Sequence, residues 1–338
     1  TISIKRSTAP LKLLDYVLWS SPVAGQQLQS YSPATLSNRF YTYNSGTDLY
    51  TAVTTPVTDA FAAGTGYLIR MPNDHPTTPT IWTGTFTGIP TNGTVNLAVT
   101  NGTYNAIGNP YPSTIVADSF IDANGITEAL YFWRKTNNAA STSYATYTTA
   151  GGTANAGGGS SIVPNGTIQV GQGFIYKSTG VALTFTNAMR TSNTANQFLR
   201  TKNVDEKSRI WLNLSKETEP VNQMMLAYMN GATSGIDPAI DGRYINDNPT
   251  ALNSLVENEE FVIQGRSAPF DNTDVVPLAF KAETGGNFAI EIDHVDGLFS
   301  GSQDIVLKDN LTGIETDLKT TPYTFTASAG TDNARFSL

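Results

Sequence analysis

The sequence predicts an all-β chain: two tandem duplicated β units followed by a β-sandwich or jelly-roll-like domain. Three observations carry this expectation. Charged residues are only 14% of the 338, and Thr, Ser, Asn and Gly take their place, a mix that suits short strands and turns and is poor in helix formers. Three motifs of the first hundred residues return in the same order in the second hundred. Beyond residue 200 the charge changes, from a net of +3 over residues 1–200 to −11 over 201–338. These set boundaries at 1–98, 99–200 and 201–338.

The repeat is read from Tyr16-Val-Leu-Trp-Ser-Ser-Pro22 against Tyr104-Asn-Ala-Ile-Gly-Asn-Pro110, Phe40-Tyr-Thr-Tyr43 against Leu130-Tyr-Phe-Trp133, and Gly64-Thr-Gly-Tyr-Leu-Ile69 against Gly171-Gln-Gly-Phe-Ile-Tyr176. The offsets grow from 88 to 90 to 107, and the Gly/Ala-rich stretch Ala150 to Ser160, present only in the second copy, accounts for most of the growth. Such a stretch predicts a flexible loop, one whose removal costs little. In each copy a first strand ends at a Pro turn, a short loop leads to an aromatic strand, and a G-x-G precedes an apolar strand that ends in a cation, Arg70 or Lys177. Thr94 to Thr100 predicts a strand between the copies, and Thr114 to Ile121 allows a helical turn. Residues 201–207 form a polar linker. After it, Ile210–Leu214 and Gln223–Met229 predict a hairpin, and further strands follow around 261–264, 275–280, 287–293, 305–308, 314–318 and 323–326. Period-two alternation buries Ile210, Leu212 and Leu214 together and leaves Trp211 outward or under a loop.

The same composition excludes several chemistries. There is no cysteine, so disulfides, thiolate catalysis and Cys-ligated zinc are out. No apolar run approaches the roughly 18 residues that span a bilayer, and the acidic C-terminal part argues against nucleic acid. The two histidines, His75 in a surface-like turn and His294 at a strand end, lack the nucleophile and carboxylate of a triad. Acidic turns suggest structural Ca²⁺, with Asp237, Asp241, Asp247, Asp271 and Asp274 as candidate ligands; ordinary turn capping by Asp and Asn is the competing reading. The aromatic strands offer Tyr41, Tyr43, Tyr131 and Trp133 (with Phe132) as a carbohydrate-stacking face, against a plain core role. No catalytic residue is nominated. Thr1 opens directly in strand-like sequence, which suggests a piece of a longer chain.

Six segments together resemble a known group: Gly108-Asn-Pro-Tyr-Pro-Ser113, Leu130 to Trp133, Val170 to Ile175, Arg209 to Leu214, Phe261 to Phe270, and Ile292-Asp-His-Val-Asp-Gly-Leu298. From about residue 10 to 338 the chain resembles the region that precedes the C-terminal sorting domain in large exported surface proteins of Bacteroidetes, mainly flavobacteria, that use the type nine secretion system. The resemblance implies export to the outer cell surface or beyond, and a sorting domain after residue 338 as the partner of the secretion machinery. It carries no catalytic residue. A secreted structural or adhesive segment is the function so implied, with a carbohydrate-binding module or a hydrolase of unrecognised site as alternatives.

Overall fold

A computed structural model describes residues 1–134, 144–154, 162–191 and 207–338. The chain is all-β, and the longest helix among the described residues is Ala117–Asn124, two turns where a single helical turn was expected. It divides into two compact units: residues 1–137 with 166–200, and residues 138–165 with 201–338. By this division the segment 138–165 goes with the C-terminal unit.

Unit 1 holds the two repeats. In the first, strands run in the order Tyr16–Trp19, Tyr67–Arg70, Phe40–Asn44, Leu49–Ala52. In the second, Tyr104–Gly108, Gly173–Lys177 and Leu130–Trp133 take the corresponding places. The registers agree residue for residue. Tyr16 faces Arg70 and Trp19 faces Tyr67; their counterparts Tyr104 and Lys177, and Ile107 and Phe174, face each other likewise. Tyr41 opposes Leu68 as Tyr131 opposes Ile175. The cores match as well: Tyr31 stacks on Phe86 at 4.1 Å in the first copy, and Phe120 stacks on Phe185 at 4.8 Å in the second. Val95–Ala98 pairs with Ala182–Phe185, as Ile2–Ser7 pairs with Thr83–Pro90. The boundary at 98 is thus corrected to the turn at 91–94, because the strand thought to lie between the copies opens the second one.

The two repeats meet about a local two-fold axis. Ser20 N donates to Gly171 O at 3.0 Å, and Gly108 N, the counterpart of Ser20, donates to Gly64 O at 2.9 Å. Trp19 bridges to Gln172, and Ile107 bridges to Thr65. The second glycine of each G-x-G lies against the other copy's first strand. A Cβ on Gly66 would sit 2.9 Å from Ile107 O, and one on Gly173 would sit 3.1 Å from Leu18 O. The glycines are required by this backbone-to-backbone approach.

In unit 2 a continuous sheet runs Ile314–Asp317, Val306–Asp309, Gly330–Ser337, Pro277–Ala282, Ala251–Val256, Glu259–Ser267, Glu219–Met229, Ser208–Lys216, Gly286–Val295, Tyr323–Ala327. Glu219–Met229 and Glu259–Ser267 are parallel. The sheet wraps around one core, in which Ile210, Leu212 and Leu214 meet Leu226, Phe280, Phe288, Phe325 and Phe336. Strands from the two ends of this path are joined by side chains: Asp309 is fully buried and accepts from Tyr323 Oη at 2.7 Å and from Arg335 Nη2 at 2.9 Å. The outer face of the sheet carries a second cluster of Trp211, Met225, Ala227, Val262 and Ile263 with Ala150. The hairpin Tyr144–Thr148 and Gly151–Thr153 covers it.

That hairpin corrects the expectation of a dispensable loop at 150–160. Ala150 is buried, as are Thr153 and Ala154. Trp211 Nε1 donates to Gly152 O at 2.8 Å, and Ala154 N donates to Gln223 Oε1 at 2.8 Å. Gly152 fits because a Cβ there would lie 2.3 Å from Pro164 O. Ala/Gly composition marks close packing in this half of the stretch; residues 155–160 lie outside the described ones.

Candidate functional site

The aromatic residues singled out in the sequence come together around the local axis of unit 1. Tyr41 and Tyr131 are counterparts, as are Tyr43 and Trp133. Tyr41 pairs with Tyr16 (centroids 5.9 Å apart) and Tyr131 with Tyr104 (6.0 Å), both edge to face. Tyr50 joins the two halves, 5.0 Å from Tyr43 and 6.1 Å from Trp133. Trp133 Nε1 donates to Tyr16 O of the first copy at 3.1 Å. Tyr16, Tyr41, Tyr43, Tyr50, Tyr104 and Trp133 are half-exposed, whereas Tyr131 is buried. Tyr131 is therefore a core residue and offers a ligand no ring face. Sequence reasoning missed Tyr16, Tyr50 and Tyr104, although Tyr16 and Tyr104 open the very motifs that revealed the repeat.

Phenol hydroxyls and charges edge this band. Arg39 Nη1 donates to Tyr41 Oη at 3.3 Å, and Tyr43 donates to Asp48. Burial, with the Asp48 contact second, pushes the Tyr43 phenol well above its ordinary range. Tyr43 is thus uncharged at neutral pH, and the band presents mixed apolar and hydroxyl chemistry.

The acidic turns are internally satisfied. Asp237 accepts from Thr233 N and, at 2.9 Å, from Thr233 Oγ1. Asp241 accepts from Asp237 N at 2.7 Å and Gly265 N at 2.6 Å. Asp247 accepts from Tyr144 N at 3.0 Å, and Asp271 from Thr273 N at 2.8 Å. Asp274 pairs with Arg266 and accepts from Tyr228 Oη at 3.0 Å. Among the described residues no three metal-ligating side chains are grouped to hold an ion. Asp237 and Asp271 serve their own turns, as Asx chemistry does, Asp241 and Asp247 also accept from the backbone of distant segments, and Asp274 is held in an ion pair.

Asp241 is buried, and desolvation lifts its carboxyl to about 6 despite the two backbone donors. A small cavity of about 10 Å³, room for about one water, lies in the same unit, lined by Tyr144, Asn222, Gln223, Tyr244 and Asp247 among others.

His75 is buried, a correction to the exposed turn expected, with Nε2 2.9 Å from Leu11 O. His294 stacks on Trp211 at 3.9 Å and contacts Asp293 at 2.6 Å. Arg70 is buried too and donates to Asn73 Oδ1 at 3.1 Å, so its strand does not emerge into water.

The motifs behind the family resemblance are architectural where the structure places them. Asn109 is fully buried; its amide donates to Ser113 O at 2.8 Å and Gln169 O at 3.2 Å, and its carbonyl accepts from Tyr111 N at 2.9 Å. In the first copy Ser21 Oγ accepts from Val23 N in the same way. Fold and site together define an all-β protein with an internally paired repeat and a wrapped-sheet domain. The chain matches, over residues 1–338, the protein family described as domain of unknown function DUF8693, and it belongs to that family. No curated protein and no solved structure matches it. No helix among the described residues is long and apolar enough to cross a membrane.

Proposed function

We propose that the chain is a non-catalytic structural or adhesive segment of a larger exported bacterial protein. In this reading it is displayed at the outer cell surface or released, and a sorting domain beyond residue 338 engages the type nine secretion machinery. One observation carries the proposal: the distinctive motifs serve to join two repeats back to back. The two G-x-G segments and the first strands face each other's backbones, which suits a rigid spacer. Deleting residues 1–338 from the parent gene tests it. Surface presentation of the upstream part, read by protease shaving and antibody labelling, should fall. Turnover by the purified chain in a broad screen of polysaccharide, peptide and ester substrates would overturn it.

The half-exposed aromatic band favours a second reading, a carbohydrate-binding module. Tyrosine and tryptophan give large contact area with a polar handle, and the band lies in unit 1 among few charges. A glycan array with the purified chain discriminates the two. Binding that is lost in Tyr43→Ala and Trp133→Ala supports the module, and a blank array leaves the spacer.

A further inference from the structure

We infer that Ser20 and Gly108 fix which repeat pairs with which, so that a first repeat accepts as partner only a second-type repeat. The two residues are counterparts, eighty-eight apart in the repeat, and they meet at the local axis. Both are buried, and a Cβ on Gly108 would lie 2.4 Å from Ser20 Cβ, closer than two real Cβ atoms come. Rotating a first repeat onto another first repeat would place serine against serine at this point. Like pairs of first repeats therefore meet a steric clash at the axis that the unlike pair avoids. This is specificity by a built-in clash.

Ser20 Oγ is buried without a hydrogen-bond partner. The serine side chain adds no polar contact at the axis; its volume is what it contributes. A chain with one repeat of each type closes on itself, and the partner outside the chain that fits the same surface is a second-type repeat of another copy.

A double-mutant cycle in the full chain tests the steric pair, read as the thermal midpoint of unit 1. Gly108→Ala should lower the midpoint by about 3–10 °C, the range expected of overpacking. Ser20→Gly alone should stay near wild type. The double variant S20G/G108A should recover part of the loss; recovery is partial because a Cβ at 108 also meets Gln172 O at 2.8 Å and Gly173 Cα at 2.9 Å. Ser20→Val probes the same gap from the other side, leaves the surroundings of Gly108 in its own repeat untouched, and should also lower the midpoint. Additive effects in the cycle, or a wild-type midpoint for Ser20→Val, would overturn the inference.

Discussion

Asp309 has no exposure to solvent, yet burial does not raise its carboxyl. The hydrogen bonds from Arg335 and Tyr323 outweigh desolvation and hold it below the ordinary carboxylate range. Removing one partner of a buried pair strands the other charge, so Asp309→Ala should destabilise unit 2 by about 3–5 kcal/mol in urea titrations. Asp241 works in the opposite sense. Its carboxyl is raised to about 6, so ionising it costs the folded state stability. That penalty is complete above pH 6 and is relieved as pH falls from about 6 toward 4. Unit 2 should therefore gain roughly 2–3 kcal/mol between pH 7 and pH 4.5 from this group. Below pH 4 the lowered carboxyls of Asp274 and Asp309 become protonated and the gain reverses. A flat urea midpoint between pH 7 and pH 5 would refute the assignment to Asp241. Single residues were the hardest part to read from the sequence. Tyr41 and Tyr131 occupy the same repeat position, but one is half-exposed and the other buried. His75 follows Asp74 in a Pro-rich turn and still ends buried against Leu11 O, because tertiary packing, which local composition does not encode, covers the turn.

Among the elements, the hairpin of Tyr144–Thr148 and Gly151–Thr153 changes the picture most. Thr148 Oγ1 donates to Ile240 O at 2.7 Å and Thr149 N to Ala239 O at 2.9 Å, so it is stitched to unit 2 along its length. A fragment of residues 208–338 lacks it and would expose Trp211. That residue is the fragment's one tryptophan, so its emission should shift to the red relative to full-length Trp211 isolated by replacing the other three with Phe. Unchanged emission would mean the cover is not needed. The strands at Ser208–Lys216 and Glu219–Met229 were legible as apolar runs, Ile210–Leu214 and Met224–Met229, separated by a polar turn. Ala251–Val256 was not, since it is buried on both faces with Asn253 and Ser254 inside. Asn253 Nδ2 there donates to Glu260 at 2.7 Å, and Ser254 Oγ to Phe261 O at 3.1 Å. Gly330–Ser337 is absent from the expected strands, although it is an inner strand whose Phe336 sits in the core. Its run of Asp332 and Asn333 hides the pattern.

For the whole molecule, the all-β class and the duplication were written in composition and in three motifs. The way the copies meet was not, because a sequence shows that a glycine is present and not what backbone approaches it. The partition of residues 138–165 into unit 2 was equally hidden, since nothing local distinguishes a strand lent to another unit from a loop. The central claim is that two like repeats are fused through their first strands and G-x-G segments into one cooperative body. Hydrogen exchange resolved by residue tests it at the amides that cross between repeats, those of Ser20, Gly66 and Gly108. In a fused body these three exchange only with global unfolding of unit 1, as slowly as its most protected core amides. Exchange as fast as that of the edge strand Leu49–Ala52 would show that the repeats separate freely and would contradict the claim.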